Sequence, residues 1–155
     1  FDMEVGYHNR KLVESSAFRY FGNLVELAKW ADFLVAATPG GAGTRHLINA
    51  EVIAALGPAG HIINVGRGTV VDTAALIAAL KEKRLAGAGL DVIEGEPAIP
   101  PQTLQQLFQF ENIVLTPHCA GRAPESHVAA TAALLANFEA FFGGKPLITP
   151  VKMDN

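Results

Sequence analysis

The chain of 155 residues is 50% hydrophobic and 17% charged, so it holds enough apolar material for one buried core and too little charge for a disordered tail. A formal net charge of -3 gives no general attraction to phosphate backbones or anionic lipids, so we expect neither nucleic acid nor a membrane as a partner. The single cysteine, Cys119, excludes an intrachain disulfide and a cysteine-based zinc site. We therefore expect no metal and a reducing, cytoplasmic location.

Short β-rich runs alternate with stretches of helical period, which predicts an α/β fold with a parallel sheet covered by helices. The predicted strands are Met3–Tyr7, Phe33–Ala36, Ile62–Val65, Ala88–Val92 and Ile113–Leu115. The predicted helices are at about Asn23–Ala31, Asn49–Leu56, Thr73–Lys83, Thr103–Phe108 and Glu125–Phe142. Asn49 and Asp72 are predicted N-caps, and Gly87 is predicted to stop the third helix. The chain begins at once with a strand and without methionine, so we expect it to be part of a longer polypeptide.

Ligands of open parallel sheets gather beyond the carboxyl ends of the strands, so the residues after each strand are candidates for a site. After the first strand, His8, Asn9, Arg10 and Lys11 stand where an NAD-binding unit usually has an acid against the ribose. Arg10 and Lys11 could instead hold a 2′-phosphate, which favours NADP over NAD. A solvated turn is the alternative interpretation.

Small residues follow the next two strands. Thr38 and Pro39 begin a loop in which a flat ligand could approach the backbone, although a plain loop explains the pattern almost as well. Arg67 stands between two glycines directly after a buried strand, where it could bind a substrate carboxylate with two parallel hydrogen bonds. A local ion pair between Arg67 and Asp72 is the weaker alternative.

The last two strands are followed by acids and a histidine. Asp91 ends an apolar run and needs hydrogen bonds if buried, for example from a nicotinamide carboxamide, unless it merely caps a turn. Glu94 is predicted to lie on the surface, whereas Glu96 could face a base on the next strand. That strand leads into a small-residue turn with His118, while the other four histidines fall in turns or polar helix positions.

Three ordered segments closely resemble the signatures of the D-isomer-specific 2-hydroxyacid dehydrogenases: Asn64–Asp72, Gly89–Pro97 and Thr116–Gly121. The resemblance implies a Rossmann-like, doubly wound parallel sheet with helices on both faces, within the cofactor-binding lobe of a two-lobed enzyme. It implies that Arg67, Glu96 and His118 are catalytic and that Asp91 contacts the nicotinamide. Val65, Gly66, Ala120 and Gly121, on the same turns, are predicted to contact the cofactor with the candidates above.

The pattern departs from the family in one respect, because no G-x-G-x-x-G motif occurs in the chain. The first strand and glycine-rich loop of the fold are therefore missing from it. We predict that this loss separates a pair formed by Met3–Tyr7 and Phe33–Ala36 from the other strands. The missing strand would belong to an N-terminal portion or to a second polypeptide, and the chain alone would be inactive. We divide the chain into a partial NAD(P)-binding domain, about 1–124, and a helix and tail, about 125–155, returning toward the substrate domain.

The resemblance implies hydride transfer between NADP(H), or NAD(H), and a small 2-oxo or 2-hydroxy acid, with glyoxylate or hydroxypyruvate as first choice and a homodimer as the full-length assembly. Phosphoglycerate dehydrogenases and other members of the family remain alternatives, although the Glu96 partner of the histidine counts against the formate enzymes. A second class is a non-enzymatic, nucleotide-sensing corepressor, since such relatives keep the same three residues. The motifs do not separate these two classes.

Overall fold

The computed structural model describes residues 2–151, which divide into two compact units, one ending at His118 and one beginning at Cys119. In chain order the elements are β1 (Gly6–Tyr7), β2 (Arg19–Tyr20), α1 (Leu24–Trp30), β3 (Phe33–Ala36), α2 (Ala50–Leu56), β4 (His61–Asn64), α3 (Thr73–Lys81), β5 (Gly87–Leu90), α4 (Pro101–Leu107), β6 (Ile113–Leu115) and α5 (Pro124–Phe142). Short 3-10 turns cover Ala42–Thr44 and Gly68–Val70.

The larger sheet has four parallel strands in the order β3-β4-β5-β6. Its register is continuous, with Ala36 opposite Asn64 and Asn64 opposite Leu90. Because the strands are parallel, their carboxyl ends and the loops that follow lie along one edge. This edge brings residues distant in the sequence together.

A smaller parallel sheet consists of β1 and β2, with Tyr7 opposite Tyr20. The predicted pairing of Met3–Tyr7 with Phe33–Ala36 is therefore wrong, because β1 pairs with β2 and β3 pairs with β4. The sequence does not predict β2, since a strand of two residues leaves no periodic signal. The edges of β1 and β3 instead line one cavity of about 880 Å³. A parallel strand placed between them would give the doubly wound order of the fold class.

The core lies between the four-stranded sheet and its helices, and Ile53, Ile62 and Leu76 are fully buried in it. Helix starts follow the predicted capping chemistry, since Asn49 accepts from Val52 N–H and Asp72 accepts from Ala75 N–H. The predicted stop at Gly87 is wrong. α3 ends at Lys81, and Gly87 begins β5, where the Asn112 carbonyl would lie 2.6 Å from an added Cβ.

The second unit contains α5, which begins at Pro124 and runs for 19 residues. Its Asn137 side chain binds the following tail, accepting from the backbone N–H of Ile148 and Thr149 at 3.1 and 3.2 Å. Between residues 2 and 151, no helix combines the length and apolar character required to cross a bilayer.

Candidate active site

The loops after β3, β4, β5 and β6 converge on a cavity of about 830 Å³ in the first unit. We name two of them: the Arg67 loop, residues 65–71, and the Glu96 loop, residues 91–97. Seven of the predicted site residues line this cavity: Thr38, Pro39, Val65, Gly66, Arg67, Glu96 and His118. The three proposed catalytic side chains therefore share one space.

Glu96 and His118 form a hydrogen-bonded pair at the cavity. The His118 Nδ1 atom lies 2.9 Å from Glu96 Oε2, and the other carboxylate oxygen accepts from the Ile93 N–H at 2.8 Å. Since a carboxylate only accepts, this pairing requires the proton on Nδ1. His118 adopts φ +52°, in the left-handed region, and its N–H donates to the Asp91 carbonyl at 3.0 Å. The turn thus fixes the ring while leaving 52% of the side chain exposed.

Arg67 is exposed, and the turn on which it lies is hydrogen-bonded to the buried side chain of Asn64. Asn64 is fully buried, and its side chain accepts from the Gly66 N–H and donates to the Arg67 carbonyl, both at 3.1 Å. The guanidinium donates to the Gly66 carbonyl at 2.8 Å and keeps further N–H groups for a ligand. The described ion pairs do not join Arg67 to Asp72, so the alternative pairing is not formed.

Glycines let the loops touch directly. An added Cβ at Gly68 would stand 2.1 Å from the Ile93 carbonyl oxygen, and one at Gly66 would stand 2.6 Å from the Thr38 carbonyl oxygen. Neither glycine has a left-handed φ, so close approach, and not backbone conformation, excludes a larger residue. The Arg67 loop is therefore packed between its two neighbours without spare space.

Asp91 is buried at the end of β5, with 5% of its surface exposed. Its Oδ1 atom accepts from the Thr116 hydroxyl at 2.5 Å, and its backbone N–H donates to the Asn64 carbonyl at 3.0 Å. The residue thus ties the turns after β4, β5 and β6 together. Contact with a nicotinamide stays a prediction.

The chain offers a second group of residues that fit a dinucleotide. Thr38 Oγ1 is buried and, within residues 2–151, has no hydrogen-bond partner, so a bound ligand could satisfy it. Thr38 and Pro39 line both cavities, and His8 and Asn9 line the one between β1 and β3. Arg10 is exposed beside them, its N–H held by the Asn9 side chain at 3.0 Å. The two cavities thus share the Thr38–Pro39 wall along which an extended cofactor could lie.

Glu94, predicted to lie on the surface, is only partly exposed and has two side-chain partners. Its side chain is 23% exposed, and Oε1 lies 2.8 Å from His46 Nε2 and 2.9 Å from Arg45 Nη2. From the sequence, His46 is interpreted as a turn residue and Asn64 is assigned no role. A polar residue at the end of an apolar strand was the available signal for Asn64, whereas the partner of His46 is 48 residues away.

Ala120 and Gly121 belong to the second unit and are exposed, so their predicted contact with the cofactor stays a prediction. Within the described part of the chain, no group of three or more histidine, cysteine, aspartate or glutamate side chains could hold a metal ion.

Comparison with known proteins identifies the family. Residues 1–120 match the model of the D-isomer specific 2-hydroxyacid dehydrogenase, NAD binding domain. The chain is 46% identical to hydroxyphenylpyruvate reductase of Plectranthus scutellarioides and 42% identical to glyoxylate/hydroxypyruvate reductase A of Arabidopsis thaliana, each over 97% of this chain and 47% of the relative.

Solved structures agree. An NADPH-dependent glyoxylate/hydroxypyruvate reductase from Sinorhizobium meliloti, in complex with NADP and malonate, superposes with a TM-score of 0.86 at 41% identity, over 97% of this chain and 46% of that one. The holo form of D-mandelate dehydrogenase from Rhodotorula graminis gives 0.87 at 32% identity, over 97% of this chain and 44% of that one. The chain thus spans about half the length of the relatives it matches. It belongs to the D-isomer-specific 2-hydroxyacid dehydrogenase family and has the Rossmann-like fold of the family's NAD-binding domain.

Proposed function

We propose that the protein containing this chain reduces a small 2-oxo acid, glyoxylate or hydroxypyruvate, with NADPH as preferred and NADH as possible reductant. The observation that carries the proposal is the hydrogen-bonded Glu96–His118 pair on the same cavity as Arg67. An acid–base group and a carboxylate-binding cation are the two protein functions that reduction of a 2-oxo acid requires.

His118 is the proton donor in this proposal. With Nδ1 bonded to Glu96, the opposite ring nitrogen, Nε2, gives a proton to the carbonyl oxygen during reduction and takes it back in the reverse direction. The Glu96 carboxylate accepts a hydrogen bond from Nδ1 and so fixes the tautomer and the orientation of the ring. Since Oε1 is bonded to the Ile93 N–H, the carboxylate itself is held in place.

Arg67 binds and orients the substrate. Its guanidinium can grip the carboxylate with two parallel hydrogen bonds and polarise the neighbouring carbonyl group. Within residues 2–151, one donor of this side chain is used by a hydrogen bond to the Gly66 carbonyl. A bound nicotinamide would supply the hydride for the same carbon atom.

Several features support NADP as the cofactor. Thr38 Oγ1 is a buried polar atom that, within residues 2–151, has no hydrogen-bond partner and could bind a dinucleotide. At the other end, Arg10 stands exposed after β1, where a 2′-phosphate would find a guanidinium instead of a repelling acid. The Sinorhizobium relative, 41% identical, is named as NADPH-dependent.

A cofactor-oxidation assay on the full-length protein tests the proposal. We expect NADPH oxidation to depend on glyoxylate or hydroxypyruvate and to be faster than with NADH. Glu96→Gln serves as the variant. An amide can donate to Nδ1 as well as accept from it, so it no longer requires the His118 tautomer with the proton on Nδ1. We expect a loss of kcat of about 10²-fold or more, as for other acid–base groups. No turnover with either acid would contradict the proposal, and peptide binding without turnover would favour the corepressor alternative.

The assembly and cellular site remain predictions as well. We predict a homodimer in the cytoplasm. We also predict that full activity requires a strand between β1 and β3, since both edges line the same cavity. Size-exclusion chromatography with light scattering on the full-length protein would test the dimer, and a monomer at micromolar concentration would contradict it.

A further inference from the structure

His46 contacts both loops that carry the proposed catalytic residues, although it is not among the residues that line the cavity. Its backbone N–H donates to the Thr69 carbonyl at 2.8 Å, and Thr69 lies in the Arg67 loop. Its imidazole Nε2 atom lies 2.8 Å from Glu94 Oε1, and Glu94 lies in the Glu96 loop. One residue therefore links the turn of Arg67 to the turn of Glu96.

The two loops need a fixed spacing because they already touch. Gly68 leaves no room for a Cβ against Ile93 and Glu94, so the Arg67 loop packs directly on the backbone of the Glu96 loop. His46 spans this contact from the side. Loss of its bond to Glu94 would remove this side-chain link between the two loops.

Two side chains, those of His46 and Arg45, contact the Glu94 carboxylate, and they differ in exposure to solvent. Arg45 also reaches Oε1, at 2.9 Å, but its side chain is 56% exposed, whereas that of His46 is 33% exposed. An exposed ion pair contributes little because solvent screens it. On its other side, His46 Nδ1 faces Asp72 Oδ2 at 3.9 Å, and Asp72 is fixed as the N-cap of α3. The imidazole thus lies between two carboxylates: that of Glu94, within the Glu96 loop, and that of Asp72, directly after the Arg67 loop.

The backbone of His46 has φ +50°, in the left-handed region that residues other than glycine seldom adopt. His118 has φ +52° and binds Glu96, two residues from Glu94. Each histidine therefore binds one glutamate of the same loop from a left-handed turn. The His46–Glu94 pair therefore binds the loop that carries Glu96, the partner of His118.

We propose that His46 is a positioning residue: acting through Glu94, it fixes the Glu96 loop against the Arg67 loop and so sets the geometry between Arg67 and the Glu96–His118 pair. This inference rests on the proposed function, because the geometry is that of the proposed reductase site. His46 touches neither the cavity nor the reacting atoms and is not a catalytic residue.

Two substitutions in the full-length protein separate the side chain from the backbone. His46→Gln keeps an amide nitrogen at about the reach of Nε2 but is less suited to the left-handed turn. His46→Asn suits that turn but is too short to reach Glu94. We expect kcat/KM for the 2-oxo acid to stay within about threefold for His46→Gln and to fall at least tenfold for His46→Asn, since small misplacements are costly. The KM for NADPH should change less than twofold in both. The opposite order would overturn the proposal, because His46 would then act through its backbone conformation.

A double-mutant cycle tests the route through Glu94. We combine His46→Asn with Glu94→Ala and compare kcat/KM for the 2-oxo acid. The double variant should be within about twofold of the less active single variant, since both substitutions remove the same bond. Independent, multiplying losses would contradict the proposal. Arg45→Ala is the matched control and should retain kcat/KM within about twofold.

Amide hydrogen exchange keeps this inference separate from the proposed function. The bond of the Ile93 N–H to Glu96 and that of the Val70 N–H to the Arg67 carbonyl report on the two loops. We expect His46→Asn to speed exchange at both amides at least tenfold while the sheet amide of Ile63 is unchanged. If no 2-oxo acid is reduced but exchange rises as expected, the proposed reaction fails and the coupling of the loops stands. Unchanged exchange at Ile93 and Val70 would overturn the positioning role whatever the activity.

Discussion

The contact of Gly68 with the Glu96 loop can be tested by adding a single methyl group. In Gly68→Ala the new Cβ would lie 2.1 Å from the Ile93 carbonyl oxygen and 2.5 Å from the Glu94 nitrogen, where ordinary contact begins at 3.4 Å. Both neighbours are backbone atoms, so no side chain can rotate away. The Arg67 loop and the Glu96 loop must therefore separate by more than 1 Å, the difference between 2.1 and 3.4 Å.

Both stability and activity should respond. Overpacking of a tight site costs about 1–3 kcal/mol, and here the backbone must absorb the shift. A displacement of about 1 Å between substrate-binding and proton-donating groups is expected to lower kcat by about 10²-fold. The two effects have different causes, because stability reports strain in the packed loops and kcat reports the distance from Arg67 to His118.

Gly43→Ala is the matched control, since an added Cβ at Gly43 meets no atom within 4 Å and its φ is not left-handed. We would measure kcat, KM and the thermal unfolding midpoint of both variants in the full-length protein. Gly43→Ala should match the unsubstituted protein within about threefold in kcat and 1 kcal/mol in stability. If Gly68→Ala behaved like Gly43→Ala, direct packing of the loops would not set the site geometry.

Three further substitutions test other parts of the site. Asn64→Ala should destabilise the protein by about 2–4 kcal/mol, measured by thermal unfolding, because it leaves the Gly66 N–H and Arg67 carbonyl without their 3.1 Å partner; a loss below 0.5 kcal/mol would contradict this. Arg67→Ala should raise KM for the 2-oxo acid and lower kcat, so that kcat/KM falls by about 10²-fold or more in steady-state kinetics. Arg67→Lys should restore only part of this loss, because lysine lacks the two parallel donors, and full rescue by lysine would refute paired binding. Arg10→Ala should raise KM for NADPH about tenfold or more and leave KM for NADH within twofold; equal changes for both cofactors would argue against a 2′-phosphate contact.

Much of the α/β architecture could be predicted from the sequence. Buried parallel strands are short apolar runs, and helices carry caps, so β3 and β6 were located to the residue and Asn49 and Asp72 were identified as N-caps. Signals of this kind are local. They fail for β2, whose two residues pair with β1 only through tertiary structure, and that omission led to the wrong partner for β3.

The candidate catalytic residues were also identified from the sequence, because chemistry at the carboxyl ends of parallel strands leaves charged residues beside glycines. Arg67, Glu96 and His118 stand in such positions, and the structure places them on one cavity. Why the neighbouring glycines are needed does not follow from the sequence, since the atoms that exclude a Cβ at Gly68 belong to a different loop.

By itself, then, the sequence determined the fold class and the family, and it singled out the candidate catalytic side chains. Only the tertiary structure decided which groups hold those side chains in place. The role of Asn64 follows from its hydrogen bonds to the turn of Arg67. The role proposed for His46 follows from its 2.8 Å contact with Glu94, which is distant in the sequence. Periodicity and capping report the environment along the chain, whereas such bonds depend on distances across it.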